Sequence, residues 1–291
     1  ADFIIVDESS MIDIELLSML LGAVKNGSLV CFLGDVNQLP SVGPGNVLQD
    51  MIHSGVIDVY RLDTVFRQGE TSKIIKNCVH MLKGESLEEG PDFHIINVTR
   101  ENLQDELFKR INYDMNDIFS LQVLGPVRKG TFGVQNLNTL IQEKINSRNG
   151  ITYGNHIFKK NDKVILNRNN YESGYFNGNM GIIKQIESDF MIININKEDF
   201  EIKEKDYEDV SLAYVTTIHK SQGSEFSDCI IVLPEKAGAI LTRNLIFTAI
   251  SRAKKNVYIL NEKGALEKAL NNHRAFLRYT TLKEKILEYI I

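Results

Sequence analysis

The chain has 291 residues, 43% of them hydrophobic, with a net charge of −5 and a pI near 5.8. At roughly 100–200 residues per domain this length holds two or three domains with sizeable cores, and the acidic balance excludes a protein coated in basic surface, so any nucleic-acid contact must come from a local groove. No stretch approaches the ~18 apolar residues of a membrane span, and the cysteines Cys31, Cys78 and Cys229 lack metal-ligand spacing and read as buried thiols in a reducing cytoplasm.

Phe3 to Val6 is a short apolar run that predicts a buried strand, and it stops at Asp7-Glu8-Ser9-Ser10-Met11. At the carboxyl end of a parallel strand, side chains reach the crevice where open α/β sheets bind ligands. Two carboxylates there can divide the labour of nucleotide hydrolysis, one holding Mg²⁺ and the other orienting a water. No Gly-x-x-x-x-Gly-Lys-Ser/Thr phosphate loop precedes Asp7, and the chain does not begin with Met, so it is expected to be the later part of a longer motor. A helix is expected over Ile14 to Val24, then a second buried strand, Leu29 to Leu33, that ends in Gly34-Asp35-Val36-Asn37-Gln38-Leu39-Pro40.

A helical region follows from Arg61 towards Gly84, then a strand near Phe119 to Leu124 and a helix over Leu137 to Ile145. Between about Gly150 and Val210 short β-rich runs alternate with turn residues such as Asn177-Gly178, which predicts a small inserted β-barrel closing on its own core. The α/β pattern returns with strands near Leu212 to Val215, Cys229 to Leu233 and Val257 to Leu260, and helices beginning near Thr217 and Thr242. The expected organisation is residues 1–60 as the end of one motor domain, residues 61–149 and 211–291 as a second, and residues 150–210 as the barrel.

The chemistry-bearing residues fall at these strand ends. Gln38 follows the second strand, where an amide can sense an attacking water or a γ-phosphate. Arg67, in Leu62 to Gln68, and Arg252, in an expected helix over Thr248 to Lys255, carry fixed charges suited to a transferring phosphoryl group, although a lone arginine is more often a surface partner. Thr216 to Phe226 is read as following a strand and opening a helix, whose first N–H groups suit a phosphate. His219 within it has no second metal ligand at useful spacing, and a hydrogen-bonded structural histidine is the plainer reading. Gly125 to Thr131 has the glycine spacing of a phosphate loop but lacks its lysine, and reads instead as a basic loop, Arg128-Lys129, near nucleic acid.

In this order, the segments DESSM (7–11), GDVNQLPSVGPG (34–45), LDTVFRQ (62–68), GPVRKGTFGVQNLNTLIQ (125–142), YVTTIHKSQGSEF (214–226) and LIFTAISRAKK (245–255) resemble the motifs of superfamily one DNA helicases, most closely the RecD/TraA branch that includes the exodeoxyribonuclease V alpha subunit. The resemblance implies two RecA-like P-loop NTPase domains, parallel sheets with flanking helices, carrying a Src-homology-three-like β-barrel; DKVILNRNNY (162–171) and NGNMGII (177–183) stand at the barrel's matching positions. It implies ATP and Mg²⁺ as cofactors, with Asp7 as metal ligand, Glu8 as base for the water, Gln38 as γ-phosphate sensor, and Arg67 and Arg252 as arginine fingers. Gly223 and Glu225 would lie near the nucleotide, and Thr217, His219, Arg128, Lys129 and Asn136 near DNA. The implied activity is ATP-driven 5′ to 3′ movement on single-stranded DNA and unwinding from duplex ends in recombination and repair, with subunits of a recombination complex as further partners and no membrane. The family's phosphate loop, adenine contacts and strand-separating pin have no counterpart in these residues. Two competing readings are a metal-dependent nuclease using Asp7, Glu8 and Asp35, and a passive nucleic-acid- or protein-binding module. The arginines and amides suit a γ-phosphate better than a carboxylate nuclease, which needs several converging acidic ligands.

Overall fold

A computed structural model describes residues 1–62, 72–111, 113, 117–272 and 278–290. The first unit holds β1 (Phe3–Val6), α1 (Ile14–Ala23), β2 (Leu29–Phe32) and α2 (Val47–Ser54). β1 and β2 pair in parallel with Val6 opposite Phe32, so Asp7 and Gly34 leave adjacent strands at one edge. Helix α1 starts where the sequence provides a cap, since the Asp13 carboxylate accepts the Leu16 N–H at 2.8 Å. The expected burial of these strands does not hold, because Phe3, Ile5 and Leu29 are 54%, 58% and 64% exposed.

The second unit begins with α3 (Lys73–Lys83), β3 (Phe93–Val98), α4 (Leu103–Arg110), β4 (Leu121–Gly125) and α5 (Val134–Ile145). Next come β5 (Gly150–Tyr153), β6 (His156–Lys159), β7 (Lys163–Leu166), β8 (Met180–Ile186), β9 (Phe190–Ile195), β10 (Glu198–Lys203) and β11 (Val210–Leu212). The chain closes with β12 (Val215–Thr217), β13 (Phe226–Leu233), α6 (Arg243–Ile250), β14 (Ala253–Glu262), α7 (Ala265–Leu270) and α8 (Leu282–Ile290). Five of these strands form a parallel sheet in the order β12-β4-β13-β14-β3, and β10-β9-β8-β7-β11 form an antiparallel sheet beside the β5-β6 hairpin.

Three local expectations are corrected. The strand expected over Leu212 to Val215 is split, its first residue pairing with β7 in the antiparallel sheet and its last with β4 in the parallel one. No helix opens at Thr217; the chain makes a single 3₁₀ turn, His219–Ser221. The helix expected over Thr248 to Lys255 ends at Ile250, and Ala253 already belongs to β14, which leaves Arg252 at the joint between them. β3 and α4 escaped the sequence reading. The periodicity of Phe93-His94-Ile95-Ile96-Asn97-Val98 is broken by polar side chains, although its two end residues are buried.

The barrel does not close on a private core. Its Val164, Ile183, Met191 and Ile193 are continuous with Leu137 and Ile141 of α5 and with Val123, Ile230 and Val232 of the parallel sheet. Two buried polar groups fix this joint. The Asp162 carboxylate accepts from Gln142 Nε2, Asn146 Nδ2, Tyr214 OH and the Lys159 N–H at 2.5–3.0 Å, and burial raises its pKa against the pull of those donors. The fully buried Lys163 donates through Nζ to the Ile118 and Leu121 carbonyls, both at 3.0 Å. After residue 272 the chain returns to the first unit, where Arg278 donates to the Ser41, Gly43 and Gly45 carbonyls at 2.6–2.9 Å and Thr280 to Asp50 at 2.8 Å.

Candidate nucleotide and nucleic-acid sites

The acidic residues stand where two parallel strands end. The Asp7 carboxylate accepts the Glu8 N–H at 2.8 Å, and Glu8 adopts φ 49°, a left-handed conformation that non-glycine residues take at a cost and that concentrates at functional positions. Ser9 ties this turn to the next strand end through its N–H and hydroxyl, which donate to the Leu33 carbonyl at 2.8 and 2.7 Å. Gly34 is required there: a Cβ would lie 2.7 Å from Ser9 Oγ and 2.9 Å from the Ser10 nitrogen. Asp35 folds the following loop by accepting from the Asn37 N–H and side-chain amide.

That loop is held against the second unit at Leu39. Its N–H donates to Thr248 Oγ1 at 2.8 Å and its carbonyl accepts Gln222 Nε2 at 3.0 Å, while Asn244 Nδ2 donates to the Asn37 and Gln38 carbonyls. Gln38 Oε1 is buried beside this seam and has no hydrogen-bond partner among the described residues, and an amide acceptor of that kind is a place where a bound polar group fits. Arg252 lies in the second unit, at the joint between α6 and β14. It is buried, and its guanidinium donates to the Thr248 carbonyl at 3.1 Å, the Ser224 carbonyl at 3.2 Å and Ser251 Oγ at 3.1 Å. Asp35 and Arg252 both act on the Cys78 thiol, whose pKa is pushed up to about 12 by burial first and then by Asp35, with Arg252 opposing. Asp7, Glu8 and Asp35 thus stand beyond the ends of two adjacent strands, and Gln38 lies on the loop clasped to the second unit, where Asp35 and Arg252 share the surroundings of Cys78; Gly223, at φ 73°, and Glu225, paired with Lys254 at 2.8 Å, lie just before β13. Arg67 lies outside the described residues. Among those residues, no three His, Cys, Asp or Glu side chains gather as a ready-made metal cage. Mg²⁺ takes hard oxygens from one or two carboxylates plus substrate phosphates, and Asp7, directly after β1, carries one such carboxylate. Gln222, Asn244 and Thr248 were missed because side-chain clasps on a distant backbone leave no local pattern.

A second site lies at the opposite edge of the parallel sheet. Thr217 pairs with Gly125, so the ends of β12 and β4 open together towards the barrel, into a cleft of about 440 Å³. Arg128, Asn138, Thr217 and Lys220 line it from the motor side, and His156, Asn167 and Asn177 from the barrel. The pKa of Lys220 is lowered by burial and by the charge of Arg128, so two cations are held close together there. Lys129, Asn136 and His219 do not line the cleft. Asn136 instead donates to the Thr131 carbonyl at 2.7 Å, and burial lowers the His219 pKa as expected for a structural histidine. The Gly125 to Thr131 loop is no phosphate cradle, because its own Val127, Arg128 and Gly130 carbonyls accept the N–H groups of residues 133–135 at the start of α5. Lys220 was missed, although it sits inside the segment singled out in the sequence.

A parallel sheet with nucleotide-type groups at one edge, a polar cleft at the other and an attached antiparallel barrel defines a RecA-like motor fold carrying a Src-homology-three-type module. Residues 1–94 match the family described as an AAA domain, residues 137–199 the ATP-dependent RecD-like DNA helicase SH3 domain, and residues 212–260 the UvrD-like helicase C-terminal domain. The chain is similar to the RecD-type helicases of superfamily one, and it spans about half or less of the length of the two relatives described next. It is 30% identical over 289 residues to the ATP-dependent RecD2 DNA helicase of Deinococcus radiodurans, covering 98% of this chain and 40% of that protein. The RecBCD enzyme subunit RecD of Mycolicibacterium smegmatis is 26% identical over 305 residues, covering 98% and 54%. Among solved structures, Pif1 helicase from Candida albicans superposes with a TM-score of 0.59 at 16% identity, covering 100% of this chain and 76% of that one. Pif1 from Bacteroides in complex with ADP-AlF3 and ssDNA superposes with 0.56 at 18%, covering 94% and 76%. At these identities the two structures speak to the fold.

Proposed function

We propose that the chain is the part of an ATP-driven DNA helicase that joins nucleotide hydrolysis to movement on single-stranded DNA, with the 5′ to 3′ direction that the family resemblance implies. The observation that carries this reading is the path of residues 218–225. β12 ends at the cleft edge and β13 begins at the seam edge, so this connection runs from Thr217 beside the cleft to Glu225 beside Arg252. On the way Gln222 holds Leu39, and the Ser224 carbonyl accepts Arg252. A change in the gap between the two units is thus mechanically tied to the cleft.

Bound ATP with Mg²⁺ would supply the electrophilic γ-phosphoryl group. Asp7 would hold the metal, Glu8 would orient the attacking water, Gln38 would report the γ-phosphate, and Arg252, with Arg67, would offset charge developing on the phosphoryl oxygens. Thr217, Arg128 and Lys220 would grip phosphates of the strand. Duplex ends as substrate and recombination subunits as partners belong to the same proposal. So does a cytoplasmic setting, supported by the unpaired Cys31, Cys78 and Cys229; no helix among the described residues is long and apolar enough to cross a membrane. Neither the seam nor the matches support the nuclease reading.

The test uses a form of the protein that carries a phosphate loop ahead of Asp7. Single-stranded DNA should stimulate its ATP hydrolysis, and Glu8→Gln should lower turnover by about 10²–10⁴-fold with little change in nucleotide affinity. The 291-residue chain, which contains no Gly-Lys dipeptide and so no phosphate-loop lysine, should turn over ATP only at the rate of its own Glu8→Gln variant. Cleavage of DNA with Mg²⁺ and no ATP would overturn the assignment.

A further inference from the structure

We infer that the barrel loop of residues 167–179 is a base-stacking platform for single-stranded nucleic acid, with the rings of Tyr171 and Phe176 placed at the mouth of the Arg128–Lys220 cleft. The inference deepens the reading of that cleft as a strand path and rests on it. Tyr171 is 80% exposed and Phe176 44%, and their rings meet edge-on with centroids 5.9 Å apart at 70°. Single exposed apolar residues are ordinary on protein surfaces. Two aromatic rings in contact, on a loop whose Asn167 and Asn177 line a groove carrying two cations, are a different arrangement.

The loop is built to hold them. Asn170 and Tyr175 are bridged, with the Asn170 N–H donating to the Tyr175 carbonyl at 2.8 Å; Asn170 Oδ1 accepts the Ser173 N–H at 2.9 Å, and Asn179 Oδ1 accepts the Phe176 N–H at 2.8 Å. Asn169 Oδ1 accepts the Asn177 N–H at 2.8 Å, and Gly174 and Gly178 take the positive φ values that the reversals need, 78° and 92°. Tyr175, between the two exposed rings in sequence, is buried and packs edge-on against Phe200 at 6.1 Å, which anchors the loop in the barrel. Rings fixed in this way lose little freedom when a base stacks on them.

The two stems of the loop are part of the cleft wall. Asn167 and Asn177 both line it, and Lys220 Nζ, which belongs to the motor side, donates to Asn167 Oδ1. A strand whose phosphates meet Arg128, Lys220 and Thr217 would carry its bases out past Asn177 towards Phe176 and Tyr171. Phosphate contacts fix such a strand without reading sequence, and stacking on aromatic rings adds affinity that any base can supply. The occupant is therefore single-stranded nucleic acid, bound with little sequence preference.

The chain contains no tryptophan, so Tyr171→Trp creates a lone fluorescent reporter in the 291-residue protein. Titration with a short oligothymidylate, followed in parallel by anisotropy of a dye on the oligonucleotide, should quench that tryptophan as binding saturates. An abasic oligomer of equal length should bind more weakly and leave it unquenched. The Tyr171→Ala/Phe176→Ala variant should bind oligothymidylate about 5- to 10-fold more weakly with the same salt slope, whereas Arg128→Ala/Lys220→Ala should flatten the slope. Asn169 Nδ2 donates to the Tyr171 hydroxyl at 3.3 Å, and Tyr171→Phe, which removes only that bond, should bind like the parent; a loss equal to that of the double alanine variant would place the effect in the hydrogen bond and overturn stacking. Saturating anisotropy with no quenching, or unchanged affinity in the double alanine variant, would overturn the platform and leave the cleft reading standing. An absence of any binding by the parent chain would remove both.

Discussion

The β1-β2 pair and the five-stranded parallel sheet are written in the same kind of sequence, a short apolar run that stops at polar residues, but they pack very differently. In β4 every residue is buried, and Ile230 to Leu233 of β13 are closed off completely. In β1 alternate residues face outwards, and Met19 and Leu21 of the neighbouring α1 are 65% and 52% exposed. The seam thus joins a heavily packed side, which carries Arg252, to a lightly packed one, which carries Asp7 and Glu8. Pre-organisation of charge depends on a surround that does not relax. By that measure the second unit is the fixed electrode of the site, and the first is positioned by being clasped to it through the loop at Leu39.

The largest effect that follows is on rate. In a form of the protein that carries a phosphate loop, Arg252→Ala should lower ATP turnover by about 10³–10⁵-fold, the range over which arginine fingers act, while nucleotide affinity changes much less. The two sides of the seam should then part company in a thermal melt. Arg252→Ala strips donors from the buried Thr248 carbonyl and the half-buried Ser224 carbonyl and should lower the melting temperature of the 291-residue chain, whereas Glu8→Gln should leave it nearly unchanged. Turnover within a few-fold of the parent would remove Arg252 from the reaction. Equal melting shifts would dissolve the contrast between the two units.

The packing contrast can also be broken directly. Ile231→Ala, in the closed core of β13, should cost about 2–5 kcal/mol in urea unfolding. Ile5→Ala, at a residue 58% exposed, should stay within about 0.5 kcal/mol. Comparable losses at the two positions would mean that the outward face of β1 is covered in solution.

How much of this was legible in the sequence follows the same division. The strands Met180–Ile186 and Phe190–Ile195 stand out because local periodicity and their own burial agree. The acidic strand end at Asp7 and the helix from Arg243, capped by Thr242, were equally readable, since each is a signal of neighbouring residues. Three features were not. The outward face of β1 was hidden because an apolar run specifies that a strand forms, and only tertiary packing decides whether both faces are covered. The 3₁₀ turn after Thr217 reads locally like a helix start. What ends it is the demand that the chain cross to the far edge of the sheet, which no window of sequence contains. Gln222, Thr248 and Asn244 clasp backbone about 200 positions away, as the Leu39–Thr248 pair shows with a separation of 209 residues.

The smallest of the expected effects tests the joint between barrel and motor sheet, where Lys163 is buried completely beneath the rings of Tyr113, Phe119 and Phe226. Burial lowers its pKa from 10.5 to about 7, against the opposing pull of Cys229 and Asp117. Between those two values the unfolded chain holds a proton that the folded chain has given up. Raising the pH therefore favours the folded state, the penalty is largest and constant below about 7, and it is relieved upwards from there. Replacement by methionine keeps an unbranched stem but orphans the Ile118 and Leu121 carbonyls, a cost that does not vary with pH. The pH slope, rather than stability at any one pH, is thus the informative quantity. Urea unfolding between pH 7 and 8.5 should show the parent gaining on Lys163→Met by up to about 1.4 kcal/mol per pH unit. Above that window the thiols of Cys78 and Cys229, both raised on folding, begin to act in the opposite direction. Parallel pH profiles would show that the ammonium stays charged at the joint, held by its two carbonyls and three rings, and that the barrel is pinned to the motor sheet by a permanent cation.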